Sequence, residues 1–126
     1  MSSFSQNPVH PIQVVQPVQV IASSAAPLAS GAIPNIPANT PTTIVTYTPA
    51  ADRVITRVAV SGTAYGKVEL FTSASLIETQ RMGPERNIII QFANPLLLPS
   101  GIPLDVKVTH YVTGELNNFE STVYGV

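Results

Sequence analysis

The chain has 126 residues, twelve of them proline and none cysteine, and a net charge of −1. That length holds one domain of ordinary size, and the lack of cysteine excludes disulfides, thiolate metal sites and cysteine nucleophiles. Six scattered Lys and Arg do not make the clustered positive charge that nucleic acid or anionic lipid requires, so neither is expected as a partner.

The charges are unevenly placed. All thirteen Asp, Glu, Lys and Arg fall between Asp52 and Glu120, and the first 51 residues carry none, yet they hold eight of the twelve prolines. The sequence therefore divides into an extended, Pro-rich, uncharged arm and linker over residues 1–42 and a β-sandwich domain over residues 43–126. The uncharged run from Ile12 to Ile33 is long enough to span a bilayer. However, Gln13, Gln16 and Gln19 would be costly there, and Pro17 and Pro27 would interrupt a helix. The leader Ser2 to Gln6 lacks the basic residues of a secretory signal. No membrane segment is expected.

Frequent proline forbids helix in the arm and favours polyproline or edge-strand conformations. The arm also holds more β-branched residues than a solvated tail does. It contains a short echo: Pro11-Ile12-Gln13-Val14-Val15 is followed by Pro17-Val18-Gln19-Val20-Ile21. Each unit sets a rigid proline before a β-branched run, a pattern suited to adding a strand to a sheet edge. Burying the six aliphatic side chains of Pro11 to Ile21 yields roughly 9–18 kcal/mol, against about 11–22 kcal/mol of backbone entropy. Hydrogen bonds to a partner sheet can tip that balance. Pro11, Ile12, Val14, Val15, Pro17, Val18, Val20 and Ile21 are accordingly the expected partner-anchoring residues. Ala22 to Pro41, rich in Ala, Ser, Pro and Asn, reads as a semi-rigid linker.

From Thr43 the period changes to two. Thr43 to Thr48 is the first expected strand. In Arg53 to Ser61, the pattern puts Val54, Thr56, Val58 and Val60 on one face and Arg53, Ile55, Arg57 and Ala59 on the other. Val68 and Leu70 alternate with Lys67, Glu69 and Phe71, and Leu76 to Arg81 is a weaker strand. Ile88-Ile89-Ile90 within Asn87 to Ala93 is apolar on both faces and predicts a strand covered on both sides. Pro95, Pro99, Gly101 and Pro103 punctuate the next connection. Leu104, Val106 and Val108 then face in against Asp105, Lys107 and Thr109, and Phe119, Ser121 and Val123 oppose Glu120, Thr122 and Tyr124. About seven to eight short strands with no helical period predict an all-β antiparallel β-sandwich or jelly roll behind an extended N-terminal arm. Its small core favours homo-oligomerisation.

Catalytic chemistry needs converging titratable groups. His10 lies in the arm, and His110 shares a strand face with Val106 and Val108, where local hydrogen bonds can satisfy it. No second His and no Cys complete a common metal site. Glu69, Glu78 and Glu85 invite a glycosidase reading, but Glu69 sits beside Lys67 on an outward face, whereas an acid/base pair needs a partly buried carboxyl. No phosphate-cradling glycine loop and no nucleophile elbow is present. No enzyme activity, metal or cofactor is expected. Tyr47, Phe71 and above all Tyr65, Tyr111 and Tyr124 remain as aromatics that could face a glycan, although such residues more commonly pack on a sheet.

The segments TYTPAADRVITRVAVSGTAYGKVELF (46–71) and RNIIIQFANPLLLPSGIPLDVKVTHYVTGELNNFESTVYGV (86–126) resemble a family of small jelly-roll proteins of tailed bacteriophage virions. The most specific part is the ending: a Pro-x-Gly turn, an Asp-Val-Lys-Val strand, then Phe-Glu-x-x-Val-Tyr-Gly. Two departures fall in turns. Relatives carry Pro-Ala-Gly where this chain has Pro49-Ala50-Ala51, and an Asp-Gly hairpin where it has Thr72-Ser73-Ala74.

The resemblance implies a virion component, in head decoration, fibre or neck and tail positions, assembled in the host cytoplasm. It carries no active-site residues. With the arm, it leads to the expectation of a capsid decoration or head-fibre protein, anchored to major capsid or neck/tail proteins and associating with itself, preferably as a trimer. A carbohydrate-binding module for host attachment and a tail or neck connector are the alternatives.

Overall fold

The computed structural model describes residues 25–126. The expected anchoring residues Pro11 to Ile21 lie outside the described residues. Eight strands follow in chain order: β1 (Ala26–Pro37), β2 (Thr42–Tyr47), β3 (Arg53–Gly62), β4 (Gly66–Thr72), β5 (Ser75–Met82), β6 (Asn87–Leu98), β7 (Leu104–His110) and β8 (Leu116–Gly125). They form two four-stranded antiparallel sheets, β1-β8-β3-β6 and β2-β7-β4-β5. Every connection except the β4–β5 hairpin passes from one sheet to the other, which is the jelly-roll arrangement. The expected all-β sandwich is what the chain forms.

Period-two segments fill the core as expected. Val68 and Leu70 of β4, Leu104, Val106 and Val108 of β7, and Phe119 and Val123 of β8 are fully or almost fully buried between the sheets. Phe119 pairs with Gly62, and its ring lies over the space that a Cβ at Gly62 would need. A glycine there exposes backbone for the ring to cover.

Three expectations are corrected. The first concerns the linker. Within Ala22 to Pro41, the twelve residues Ala26–Pro37 form β1, an edge strand paired along β8, so the sandwich begins before residue 43. Proline is tolerated because the strand is an edge and its ladder is broken near the rings: register shifts fall between Pro27 and Ala29 and between Ile33 and Ile36. Asn35, next to Pro34, takes φ of 58° and its N–H donates to Asn118 Oδ1 at 3.0 Å. Ile36 then turns fully into the core.

The second correction concerns β3, where Ile55 lies on the same buried face as Val58 and Val60 rather than opposite them. The pairing of β3 shifts between Ile55 and Arg57 against both neighbours, so alternation resets at Thr56 and places Ile55, Val58 and Val60 all inside. The third concerns Ile88-Ile89-Ile90. β6 is an edge strand, Ile90 is buried, and Ile89 is 60% exposed on the outer face. β6 also runs on through Pro95 to Leu98, because a bulge over Phe92 to Pro95 absorbs the proline: Ile55 pairs with Leu96 while Arg57 pairs with Gln91.

The topology separates two ends. The loops between β1 and β2, β3 and β4, β5 and β6, and β7 and β8 close one end, tied by Asn39 N–H to His110 O (2.7 Å), Gly62 N–H to Arg86 O (3.0 Å) and Thr63 N–H to Asn118 O (3.0 Å). The remaining loops close the other end, tied by Gly101 N–H to Pro49 O (2.9 Å) and Ser100 N–H to Asp52 Oδ1 (2.9 Å). The chain enters β1 at this second end, where Ala26 pairs with Gly125.

Candidate functional site

Convergent chemistry is the first thing to test. Among the described residues, no three His, Asp or Glu side chains gather closely enough to hold a metal ion. His110 is fully buried. Its Nε2–H donates to the Ile36 carbonyl (2.6 Å), and its Nδ1 accepts from the Val112 N–H (3.2 Å). Those partners leave a single tautomer, since a backbone N–H must donate and a carbonyl must accept. The ring also stacks on Phe119, with centroids 6.0 Å apart. His110 is thus a strut joining β7 to β1. Glu69 forms an outward ion pair with Lys67 (Nζ–Oε2 3.7 Å), and Glu78 on edge strand β5 accepts from Gln80 Nε2 (2.6 Å).

The candidate aromatics are only partly brought together. The β4–β7 ladder ends at Gly66 paired with His110, so Tyr65 and Tyr111 both lie just past its end, 51% and 38% exposed. Beside Tyr65 lies a shallow depression of about 370 Å³ lined with Gly83, Pro84 and Arg86. Tyr124 is elsewhere. It pairs with Arg57 on the outer face of the other sheet, with the guanidinium 4.0 Å above its ring centroid. That Tyr65 and Tyr111 share one end of the ladder depends on long-range register, and no local signal could have revealed it.

Two outer faces remain. On the β2-β7-β4-β5 sheet, Thr43, Lys107, Glu69 and Thr79 form one row and Thr46, Asp105, Phe71 and Leu76 another. Thr46 Oγ1 donates to Asp105, and Lys107 Nζ sits 4.9 Å from the Phe71 ring centre. On the β1-β8-β3-β6 sheet the rows read Ala32, Glu120, Ser61, Asn87 and then Ser30, Thr122, Ala59, Ile89. Small uncharged residues dominate this face and leave shallow troughs of about 530 and 410 Å³ beside Ser61 and Glu120. Both of its edge strands, β1 and β6, are wholly uncharged.

The four sheet edges differ in how they are protected. β1 carries Pro27, Pro34 and Pro37. β5 sets Glu78 opposite the buried Leu70, on the core side of the strand. β2 is covered by β1, whose Gly31 lies against the Ile44 carbonyl so closely that no Cβ fits. Proline, inward charge and covering chain are the usual means of blocking an edge. Among the described residues, β6 has none of them over Asn87 to Gln91.

No protein-family model matches this sequence, and no curated protein matches it. Among solved structures, it is similar to the insecticidal delta-endotoxin Cry8Ea1 of Bacillus thuringiensis, at 9% identity and a TM-score of 0.48 over 79% of this chain. The chain spans 19% of the length of that toxin. It is also similar to a chain from the acidic stable capsid of the Helicobacter pylori bacteriophage KHP30, at 10% identity and a TM-score of 0.48, over 82% of this chain and 92% of that one.

Proposed function

We propose that this chain is a non-catalytic structural subunit of a tailed-phage virion, held on capsid or neck/tail proteins by its N-terminal arm and projecting the jelly roll as a homo-oligomer. The observation that carries the reading is the charge map. The uncharged arm leads directly into an uncharged edge strand and an outer sheet face of small residues, while charge is concentrated on the opposite sheet and in loops. A surface left in water gains from charge, and one that is to be covered gains from its absence. The resemblance of residues 46–71 and 86–126 to phage virion jelly rolls supplies the setting, with capsid decoration or head fibre preferred over a neck or tail connector.

Deleting residues 1–24 tests the arm. The truncated chain keeps its fold and is absent from purified particles; normal incorporation refutes the anchor. Copy number per particle separates the positions, with hundreds for decoration and about a dozen or fewer for fibre, neck or tail. A second reading rests on the exposed Tyr65–Tyr111 pair beside Arg86 at the loop end: glycan binding during host attachment. Binding of the isolated chain to a glycan array, lost in Tyr65→Ala or Tyr111→Ala, supports it.

A further inference from the structure

β6 poses a conflict between sequence and surroundings. Ile88-Ile89-Ile90 is apolar on both faces, the pattern of a covered strand, yet among the described residues β6 ends its sheet with Ile89 60% and Leu97 73% exposed. Such an edge is a template for another strand. What is missing is the strand that completes it.

We propose that the free side of β6, over Asn87 to Gln91, receives the segment Pro17 to Ile21 of a neighbouring copy of this chain as an added strand. The proposal rests on the reading of the arm as a docking element and assigns only its second echoed unit to a neighbouring copy, leaving Pro11 to Val15 for the capsid or neck/tail protein. Three observations select this occupant. Twenty-four residues precede the described structure, and the echoed units within them are each five residues long, the length of the open stretch Asn87 to Gln91. Neither strand carries a charge, so pairing them buries no unpaired ion. Alternation puts Val18 and Val20 on one side of the donor strand, to extend the row of Ile88 and Ile90, with Gln19 on the outer side beside Ile89.

Geometry makes the donor a neighbour rather than the same molecule. The arm joins the sheet at Ala26, on the edge opposite β6. A strand added outside β6 lies four inter-strand steps from β1, about 19 Å. The row containing Ala26 reaches β6 at Leu96, beyond the bulge, so Asn87 to Gln91 is further still along the strand. Only four residues lie between Ile21 and Ala26, so the five steps joining them span at most about 18 Å of extended chain. A molecule cannot place this segment on its own β6. Donor on one edge and acceptor on the other make a heterologous contact, which closes into a ring when the rotation allows.

The purified full-length chain carrying a benzophenone amino acid at Ile89, mixed as light and 15N-labelled copies, tests this directly. Irradiation is expected to join the β6 peptide to residues 17–21, with products that pair one light and one heavy chain. The same probe at Leu76 on β5 should capture no arm. Same-isotope products only, capture of other segments, or no capture overturns the proposal. Ile89→Lys supplies an independent readout, since the side chain points outward and the core is untouched. It should convert the wild-type oligomer to the mass of a single chain with thermal unfolding preserved; persistence of the oligomer is equally fatal. If the arm is captured by shell proteins in particles but never by Ile89 in the purified chain, the anchoring role survives and this assignment falls.

Discussion

The two sheets share a core and a topology, but their outer surfaces solve different problems. The outer face of the β2-β7-β4-β5 sheet carries Lys67, Glu69, Arg81, Asp105 and Lys107, with Lys67 paired to Glu69 and Lys107 laid over Phe71. The β1-β8-β3-β6 sheet carries Arg53, Arg57 and Glu120, and the Arg57 guanidinium is spent on Tyr124. Nothing in the jelly-roll fold requires that asymmetry, since either outer face could be solvated equally well. It leaves one outer face rich in charge and the other nearly free of it.

The comparison can be broken most severely by truncation. Deleting residues 1–41 removes β1 with Ile36 and the half-buried Leu28 and Ile33. At about 1.5–3 kcal/mol per buried aliphatic side chain, that loss rivals the whole stability of a small domain. Circular dichroism should show an unfolded chain, whereas deletion of residues 1–24 should leave the melting temperature within a few degrees. Next in size is the strut between the sheets. His110→Ala opens a cavity and strands the Ile36 carbonyl, costing about 3 kcal/mol in urea unfolding.

The faces themselves are compared by Ala59→Lys and Thr79→Lys, each a lysine at an outward position. Both should unfold like the wild type, but Ala59→Lys should lower particle incorporation roughly tenfold, or about 1.4 kcal/mol, and Thr79→Lys should not. Equal behaviour of the two would remove the functional meaning of the asymmetry. Smaller still is the β4–β5 hairpin, where Ser73 and Ala74 sit at φ of 47° and 68°. A two-residue turn with both residues left-handed favours glycine at its second position. Ala74→Gly should therefore stabilise by about 1 kcal/mol, a rise of about 4 °C or more in melting temperature. Breaking the exposed Lys67–Glu69 pair with Lys67→Ala should change stability by less than about 0.5 kcal/mol.

The parts of the fold legible in sequence were those with one wet face and one dry. Lys67 to Phe71, Leu104 to Val108 and Phe119 to Val123 alternate strictly because one side meets water and the other the opposing sheet. β1 was illegible for the opposite reason. With no charge to mark an outer face, and with prolines that bulges rather than turns absorb, it has the composition of a linker. Ile55 was misplaced because a bulge at Thr56 leaves no local trace in the residues around it. The Ile88-Ile89-Ile90 run misled because three apolar residues in a row mark no face as wet, whereas among the described residues β6 is an edge strand with Ile89 on the exposed outer face. The site residues fare similarly: Tyr65 and Tyr111 come to the same end of the body only through a ladder that spans more than forty positions of chain.

The separation of the two loop ends has a further consequence. The point where the chain enters β1 and the turns carrying Tyr65, Arg86 and Tyr111 lie at opposite poles of the barrel-shaped body. A molecule gripped through its leader would hold those turns at the outermost tip, like a bulb on its stem. Residues there could be exchanged to meet a new environment without renegotiating the grip, so attachment and display would evolve as separate problems.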